Sequence, residues 1–474
     1  MVFVSLNHSL RGGTKGQEKY VVNPANQEVL TISDVVLDVL RAIHSLGKVD
    51  EIVARVSGEY GLDLGEAEIV VWDALHQLMQ NGLVKVSFGP LERKCSLRFF
   101  DSVTIRRALL SLTHRCNFRC KHCLQGDGAT RRSDELSTEK WMNIIDQLSE
   151  YGLSHLFFTG GEPLLRKDVC DLIARAADHA FPIRLYTNGL LIDEALVSRL
   201  RRFDTLIVQV SLHGRDAATV DPFVGVDGAF DRVTESIRAM TDAGIRVEVS
   251  TSFREELMPF MEEFPSLLQK LRVSEWIPTM IMPMGCAFSS WRELRLSSPN
   301  LRIFMENLFR FMSIYKGHRG FSIYSPFDVT LLQGDVSEWR GSTISFGCNL
   351  YDQYINIQPD GTITPCDRLT RYCLGSLKDE SLVNLMSKKG VMHAHTDDVR
   401  RELDSIGAIT RCGDCAYGNL CGMGCPGILF QGKSLGEKYD DPVVCRMFNE
   451  CFDVVLKYST PDAQNRLLGN LRRK

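Results

Sequence analysis

Three cysteines share one short loop, Cys116-Asn117-Phe118-Arg119-Cys120-Lys121-His122-Cys123, in a Cys-x3-Cys-x2-Cys spacing. Thiolates spaced this way can hold one compact metal group. A structural zinc ion takes four ligands, and the loop offers only His122 to complete a zinc knuckle. A [4Fe–4S] cluster usually takes four thiolates. Held by three, it keeps one iron open for a substrate or cofactor. A second cysteine system lies downstream, where nine of the 15 cysteines fall between Cys348 and Cys451. It reads Cys348-x12-Gly361-x4-Cys366, then Cys412-x2-Cys415-x5-Cys421-x3-Cys425, then x19-Cys445. A zinc ribbon wants two Cys-x2-Cys pairs about 15–20 residues apart, and this spacing does not supply them.

The rest of the composition is ordinary. The 474 residues are 44% hydrophobic and 24% charged, with a net charge of −4, which excludes no globular class but gives no footing for a polyanion binder. Met1 to Tyr20 lacks the apolar stretch of a signal peptide. The most apolar run, around Ile277 to Phe288, is too short and Pro-interrupted for the ~18 residues of a membrane span. A soluble, cytoplasmic chain with no membrane partner is expected. A reducing compartment does not sustain a disulfide framework, so metal or redox chemistry is the expected use of 15 cysteines. The scattered Cys95, Cys170 and Cys286 are expected to pack as small hydrophobes. Cys373 and Cys451 have no assigned role, and His393 and His395 read as surface histidines.

The elements that must position the first loop come from residues 104–285. Candidate strands are Ile105 to Leu112, Ser154 to Thr159, Pro182 to Thr187, Thr205 to Leu212, Ile245 to Ser252 and Glu275 to Met282. Helical patterns lie between them at Thr138 to Glu150, Asp168 to Ala180, Asp193 to Arg202, Ala229 to Asp242 and Met258 to Leu271. Alternation of this kind predicts an α/β fold with a parallel sheet, open or curled into a partial barrel. Chemistry in such barrels sits at the C-terminal ends of the strands, and the unusual residues fall there. The cysteine loop follows the first strand and Gly160-Gly161-Glu162-Pro163 the second. Asn188-Gly189 follows the third, and Ser211-Leu212-His213-Gly214 ends the fourth.

Cys116-x3-Cys120-x2-Cys123 after a first strand, with Gly160-Gly161-Glu162-Pro163 after the second, resembles the radical S-adenosylmethionine superfamily. The resemblance implies a partial (β/α)6 TIM-like barrel in which Cys116, Cys120 and Cys123 ligate a [4Fe–4S] cluster. The open iron is then chelated by the amino and carboxylate groups of S-adenosylmethionine, whose reductive cleavage yields a 5′-deoxyadenosyl radical that takes hydrogen from the substrate. Carried over by position, Gly160, Gly161 and Glu162 contact the methionine amino group, and Pro163 shapes the turn. Asn188 joins the cofactor-binding set, His122 lies near the adenine, and Ser211 contacts the ribose or carboxylate end. His213 replaces an Asp common in this family motif, which leaves its role open.

The C-terminal cysteines resemble the seven-cysteine pattern of the SPASM domain, which holds two auxiliary [4Fe–4S] clusters. That likeness assigns Cys412, Cys415, Cys421 and Cys445 to the distal cluster and Cys348, Cys366 and Cys425 to the one nearer the barrel. The nearer cluster then has an open iron or recruits Cys373 or Cys286, and three [4Fe–4S] clusters are expected in all. Residues 1–95 read as a winged-helix module, with β runs at Glu18 to Val22 and Glu28 to Ile32 and helices at Val35 to Ile43, Val49 to Val56 and Ala67 to Met79. A two-stranded wing is expected from Val84 to Phe88 and Ser96 to Phe99. Residues 1–90 hold 7 Lys and Arg against 11 Asp and Glu, the wrong balance for a nucleic-acid partner. An exposed strand edge can instead bind a peptide through backbone pairing, and the module resembles the leader-recognition element of enzymes that mature ribosomally made peptides.

The expected organisation is thus a recognition module (1–95), a barrel (104–285), a bridge (286–345), a SPASM domain (346–455) and a tail (456–474). The expected activity is installation of a C–S or a C–C/C–N crosslink on a precursor peptide with a leader, with flavodoxin or ferredoxin as electron donor. A formylglycine-type maturase and an iron–sulfur electron carrier or redox regulator are the alternatives.

Overall fold

The computed structural model describes residues 2–15, 17–25, 27–91, 95–100, 106–126, 134–316, 318, 320–323, 354–370, 372–387, 415–417, 428, 443–469 and 471. The N-terminal module comprises β1 (Phe3–Leu6), β2 (Leu10–Lys15), β3 (Glu18–Val22), β4 (Val29–Ile32), α1 (Asp34–Ser45), α2 (Val49–Tyr60), α3 (Leu64–Gln80), β5 (Val84–Ser87) and β6 (Leu97–Phe100). Its helices begin where side chains satisfy the first free N–H groups: Ser33 caps α1, and Asp63 with Glu66 forms a capping box on α3. Leu37, Leu40, Ile52, Val56, Val71, Leu75 and Leu78 form a core of its own.

The expected wing is corrected. Both strands form, but β5 pairs antiparallel with β1, and β6 runs parallel to β2 at the edge of a sheet ordered β4-β3-β2-β6. There Leu97 and Phe99 reach the module's core, burial that a free-standing hairpin would not provide.

The barrel follows as β7 (Arg107–Ser111), α4 (Thr138–Glu150), β8 (His155–Thr159), α5 (Val169–Asp178), β9 (Ile183–Thr187), α6 (Glu194–Leu200), β10 (Leu206–Ser211), α7 (Ala217–Val224), α8 (Ala229–Asp242), β11 (Arg246–Phe253), α9 (Phe264–Lys270) and β12 (Glu275–Met280). Each strand pairs parallel with the next. Alternation along β9 buries Ile183 and Leu185 in the main core, so Arg184 and Tyr186 point to the other face. The helix expected at Met258 to Leu271 starts instead as a 3-10 helix over Glu255–Glu263. Pro259 within it has no N–H for an α-helical bond.

The remaining elements are α10 (Cys286–Ser289), α11 (Trp291–Leu294), α12 (Ser298–Ile314), β13 (Ser322–Ile323), β14 (Tyr354–Ile357), β15 (Thr362–Thr364), β16 (Gly375–Ser376), α13 (Leu382–Ser387), α14 (Val443–Tyr458) and α15 (Pro461–Gly469). They extend the sheet to ten strands in the order β13-β12-β11-β10-β9-β8-β7-β14-β15-β16. β14 lies parallel to β7, and buried Asn356 ties the two by accepting from the Ser111 hydroxyl at 2.9 Å. α14 packs on α12 and sends Met447, Phe448 and Cys451 into the barrel's core.

The N-terminal module is fastened to the barrel floor. At the β3–β4 turn Gln27 donates from Nε2 to the Ile183 carbonyl (2.8 Å) and the Thr205 carbonyl (3.3 Å), at the N-terminal ends of β9 and β10. Arg11, 1% exposed, donates to the carbonyls of Leu153 (2.9 Å), Ser149 (3.1 Å) and His179 (2.8 Å). Its guanidinium carbon stands 4.1 Å from the centre of the Phe181 ring. Among the described residues, no helix is long and apolar enough to cross a membrane.

Candidate radical cluster site

The cysteine loop leaves the C-terminal end of β7 and is pinned to α7, where the N–H groups of Arg119 and Lys121 donate to the carbonyls of Val224 (2.8 Å) and Phe223 (3.0 Å). Cys116, Cys120 and Cys123 are half-buried. Burial raises the Cys120 thiol first, and the charges of Cys123 and Cys116 raise it further, so the three sulfurs are electrostatic neighbours. Among the described residues no three His, Cys, Asp or Glu side chains converge as on a single metal ion. A cubane cluster asks for a different arrangement, since each thiolate binds a different iron. Three half-buried thiols on one loop at the end of a barrel strand fit such a cluster.

Gly160-Gly161-Glu162 follows β8 and lies against the root of the cysteine loop. Gly160 has φ +151°, and a Cβ there would run into the Thr113 carbonyl oxygen. A Cβ on Gly161 would run into the Arg115 carbonyl. The Gly161 N–H donates to the Thr113 carbonyl at 2.7 Å and the Glu162 N–H to the Arg115 carbonyl at 2.8 Å. The glycines therefore allow two segments of this chain to approach, where the sequence predicts approach to a ligand. Pro163, buried, opens a 3-10 turn over Pro163–Leu165.

Glu162 is fully buried. Its carboxylate accepts from the Leu164 N–H (3.0 Å), the Thr187 hydroxyl (2.8 Å) and the Asn188 N–H (2.7 Å). Burial pushes it up to about 7 against the pull of those hydrogen bonds. Among the described residues no Lys, Arg or His forms an ion pair with it. A buried carboxylate with donors but no cation fits the amino group of S-adenosylmethionine. Asn188 links the two motifs: its Nδ2 donates to Asn117 Oδ1 at 2.7 Å and lies 3.9 Å from Cys116 Sγ.

Ser211 ends β10, half-buried. His213 is buried, and its Nδ1 accepts from the Ser252 N–H at 3.2 Å. The His122 ring stacks on Phe223 with centroids 4.7 Å apart and meets His213 edge-on at 4.5 Å. Arg254, also buried, donates to the His213 carbonyl at 2.9 Å and places its guanidinium carbon 3.9 Å from the Phe223 ring centre. Burial, then the Arg254 charge, holds His122 down to about 4. Burial likewise holds His213 well below the usual histidine range. Both rings are therefore neutral at neutral pH and pack against one another.

Phe223, Arg254, Thr187, Asn117 and Thr113 were not among the residues legible as site members. For Phe223 a signal was present: Asp216 and Thr219 form a capping box and Gly225 ends α7, but Pro222 inside the helix obscures it.

In the second cysteine system, Cys366 follows β15 close to Tyr354, whose hydroxyl its charge helps to raise after burial, Asp367 and Tyr186. Cys415 is half-buried two residues before Tyr417, which packs on Phe448 (5.6 Å) and Phe452 (5.1 Å) of α14, the helix that carries Cys445. Cys348, Cys412, Cys421 and Cys425 lie outside the described residues, as do His393 and His395. Cys170 is packed in the main core and Cys95 against the module's core. Cys451 is buried and Cys373 is exposed.

Known proteins carry the same parts. Residues 110–254 match the Radical SAM superfamily and residues 348–416 the SPASM iron-sulfur cluster-binding domain. An AdoMet-dependent heme synthase of Nitratidesulfovibrio vulgaris is 25% identical over 332 residues, 68% of this chain and 88% of that protein. The PqqA peptide cyclase of Granulibacter bethesdensis is 32% identical over 161 residues, 34% of this chain and 42% of that protein. The crystal structure of Streptococcus suis SuiB bound to precursor peptide SuiA shares the fold with a TM-score of 0.61 at 14% identity, covering 93% of this chain and 99% of that one. The mouth of the barrel, with its three thiols and its glycine-glycine-glutamate loop, thus lies in a radical SAM domain, and the cysteine-rich segment after it in a SPASM iron–sulfur domain.

Proposed function

We propose that this protein is a radical S-adenosylmethionine maturase acting on a ribosomally made precursor peptide, in which it installs a thioether or a C–C/C–N crosslink. The observation that carries the reading is the likeness in fold over 93% of the chain to a protein bound to its precursor peptide. The likeness to a peptide cyclase over 34% of the chain points the same way. The module fixed to the barrel floor keeps β4 at the edge of its sheet, where an extended leader can add a strand through backbone pairing.

Cys116, Cys120 and Cys123 would hold the barrel cluster, and Glu162 would accept from the amino group of S-adenosylmethionine. When bound and reduced, the cofactor supplies a 5′-deoxyadenosyl radical that abstracts hydrogen from the substrate. The chain's own residues do the positioning. Asn188 fixes the Glu162 carboxylate and braces the loop through Asn117, with Gly160, Gly161 and Pro163 shaping the strand end. His122, His213 and Phe223 present neutral, apolar ring faces at the mouth, with Ser211 beside them. Cys412, Cys415, Cys421 and Cys445 would hold a distal auxiliary cluster, and Cys348, Cys366 and Cys425 a nearer one. A flavodoxin or ferredoxin would donate electrons. The reading includes no nucleic-acid or membrane partner.

The test uses anaerobically reconstituted protein with S-adenosylmethionine, reductant and candidate precursor peptides. About twelve irons per chain, deoxyadenosine formation and a peptide lighter by two hydrogens bear the reading out. About four irons would remove the auxiliary clusters from it. Deoxyadenosine without peptide modification, but with turnover of an iron porphyrin, would overturn it in favour of the heme-synthase relatives.

A further inference from the structure

Cys286 follows β12 at the mouth of the barrel and lies on the cysteine loop. The Cys286 N–H donates to the Cys123 carbonyl at 2.9 Å. The preceding Gly285 has φ +55° and ψ −130°, a conformation closed to residues with a Cβ. A Cβ there would also collide with the carbonyl oxygens of Cys123 and Leu124. A turn that only glycine can make therefore presses Cys286 against the third cysteine of the loop. Cys286 is half-buried.

A fourth cysteine thus lies against the loop where three are assigned. A [4Fe–4S] cluster usually takes four thiolates, and the iron left open by three must bind something before S-adenosylmethionine arrives. We propose that Cys286 is a reserve fourth ligand of the barrel cluster: its thiolate binds the open iron in the cofactor-free protein and gives way to the amino and carboxylate groups of S-adenosylmethionine. On binding, an Fe–S bond forms and the thiol proton passes to solvent; on release, the sulfur is reprotonated. The cluster's oxidation state does not change. The exchange shields the open iron from oxidants and keeps the cluster intact between turnovers. It rests on the barrel-cluster assignment and requires no peptide.

The test compares reduced, fully reconstituted wild type with Cys286→Ala by electron paramagnetic resonance, with and without S-adenosylmethionine. Signals from auxiliary clusters cancel in the difference spectrum. The expected difference is clear without S-adenosylmethionine and vanishes when it saturates. If the thiolate occupies the open iron about nine-tenths of the time, Cys286→Ala binds S-adenosylmethionine about tenfold more tightly. No difference in either state overturns the proposal, and so does a difference that persists with the cofactor bound, which would assign Cys286 to another cluster or to folding. Alkylation of the wild-type holoprotein, read by mass spectrometry, needs no variant. Cys286 should be protected without S-adenosylmethionine and modified with it, and equal labelling in both states overturns the idea. Deoxyadenosine formation in the same samples separates this failure from failure of the cluster assignment.

Discussion

Glu162 is the residue whose replacement is most informative. Its carboxyl is fully buried and pushed up to about 7 from an ordinary 4.5. Because the folded-state value is the higher one, the folded protein holds this proton more tightly than the unfolded chain does. Stability from this group is complete below about 4.5, falls as pH rises to about 7, and is level above that. At 1.36 kcal/mol per unit, the ionised carboxylate costs the fold about 3 kcal/mol. Between pH 5.5 and 8 the loss is about 2 kcal/mol. Glu162→Gln cannot ionise and lacks this dependence. It retains an oxygen for Leu164 and Thr187, but its amide faces the Asn188 N–H, which costs about 1–3 kcal/mol at every pH.

The melting-temperature difference between variant and wild type, without S-adenosylmethionine, should therefore shift in the variant's favour by about 2–5 °C between pH 5.5 and 8. Other carboxylates titrate in both proteins and cancel. S-adenosylmethionine, measured by equilibrium dialysis, should bind the variant about 10- to 100-fold more weakly through loss of a charge-assisted hydrogen bond. A temperature difference that stays constant across that pH range would refute the account of burial. Unchanged cofactor affinity would refute the placement of the amino group.

Gly161→Ala should prevent the loop from closing on Arg115, costing about 3 kcal/mol or more; iron content and melting temperature would both fall. Arg11→Ala leaves the carbonyls of Leu153, Ser149 and His179 without their buried donor, at about 3 kcal/mol or more. Limited proteolysis should then release the N-terminal module, while deoxyadenosine formation without peptide persists. Replacing Cys116, Cys120 and Cys123 with Ala should remove about four irons and all deoxyadenosine formation. Replacing Cys415 and Cys445 should also lower iron but leave that reaction, as read by iron analysis and chromatography.

The barrel was legible because each level of the sequence agrees there. Apolar runs at β7 to β12 alternate with helix-spaced runs, and the chemistry-bearing residues fall just after strands, so the observed strand bounds lie within about two residues of the expected ones. The pairing partners were not legible. β14 joins β7 across more than 240 residues of sequence, and β5 and β6 choose β1 and β2 over each other, because edge pairing depends on which backbone stands nearby after folding. The same holds for Arg11, whose lone positive charge among ordinary residues gives no sign that it will be buried between two units.

The sequence by itself placed three thiols in one loop after a barrel strand, showed the likeness to the radical SAM and SPASM domains, and set out the strand–helix alternation between them, because thiol spacing and alternation are local properties. Only the tertiary structure decided what those residues meet. It buried Glu162 with no ion pair among the described residues, made the glycines a seam between two loops, and closed His122, His213 and Phe223 into one neutral cluster. It also brought Cys286 onto Cys123 through a turn only glycine can make. Each of these is a contact between distant segments, set by how the sheet curls and by which backbones can approach, and no local pattern of residues encodes it.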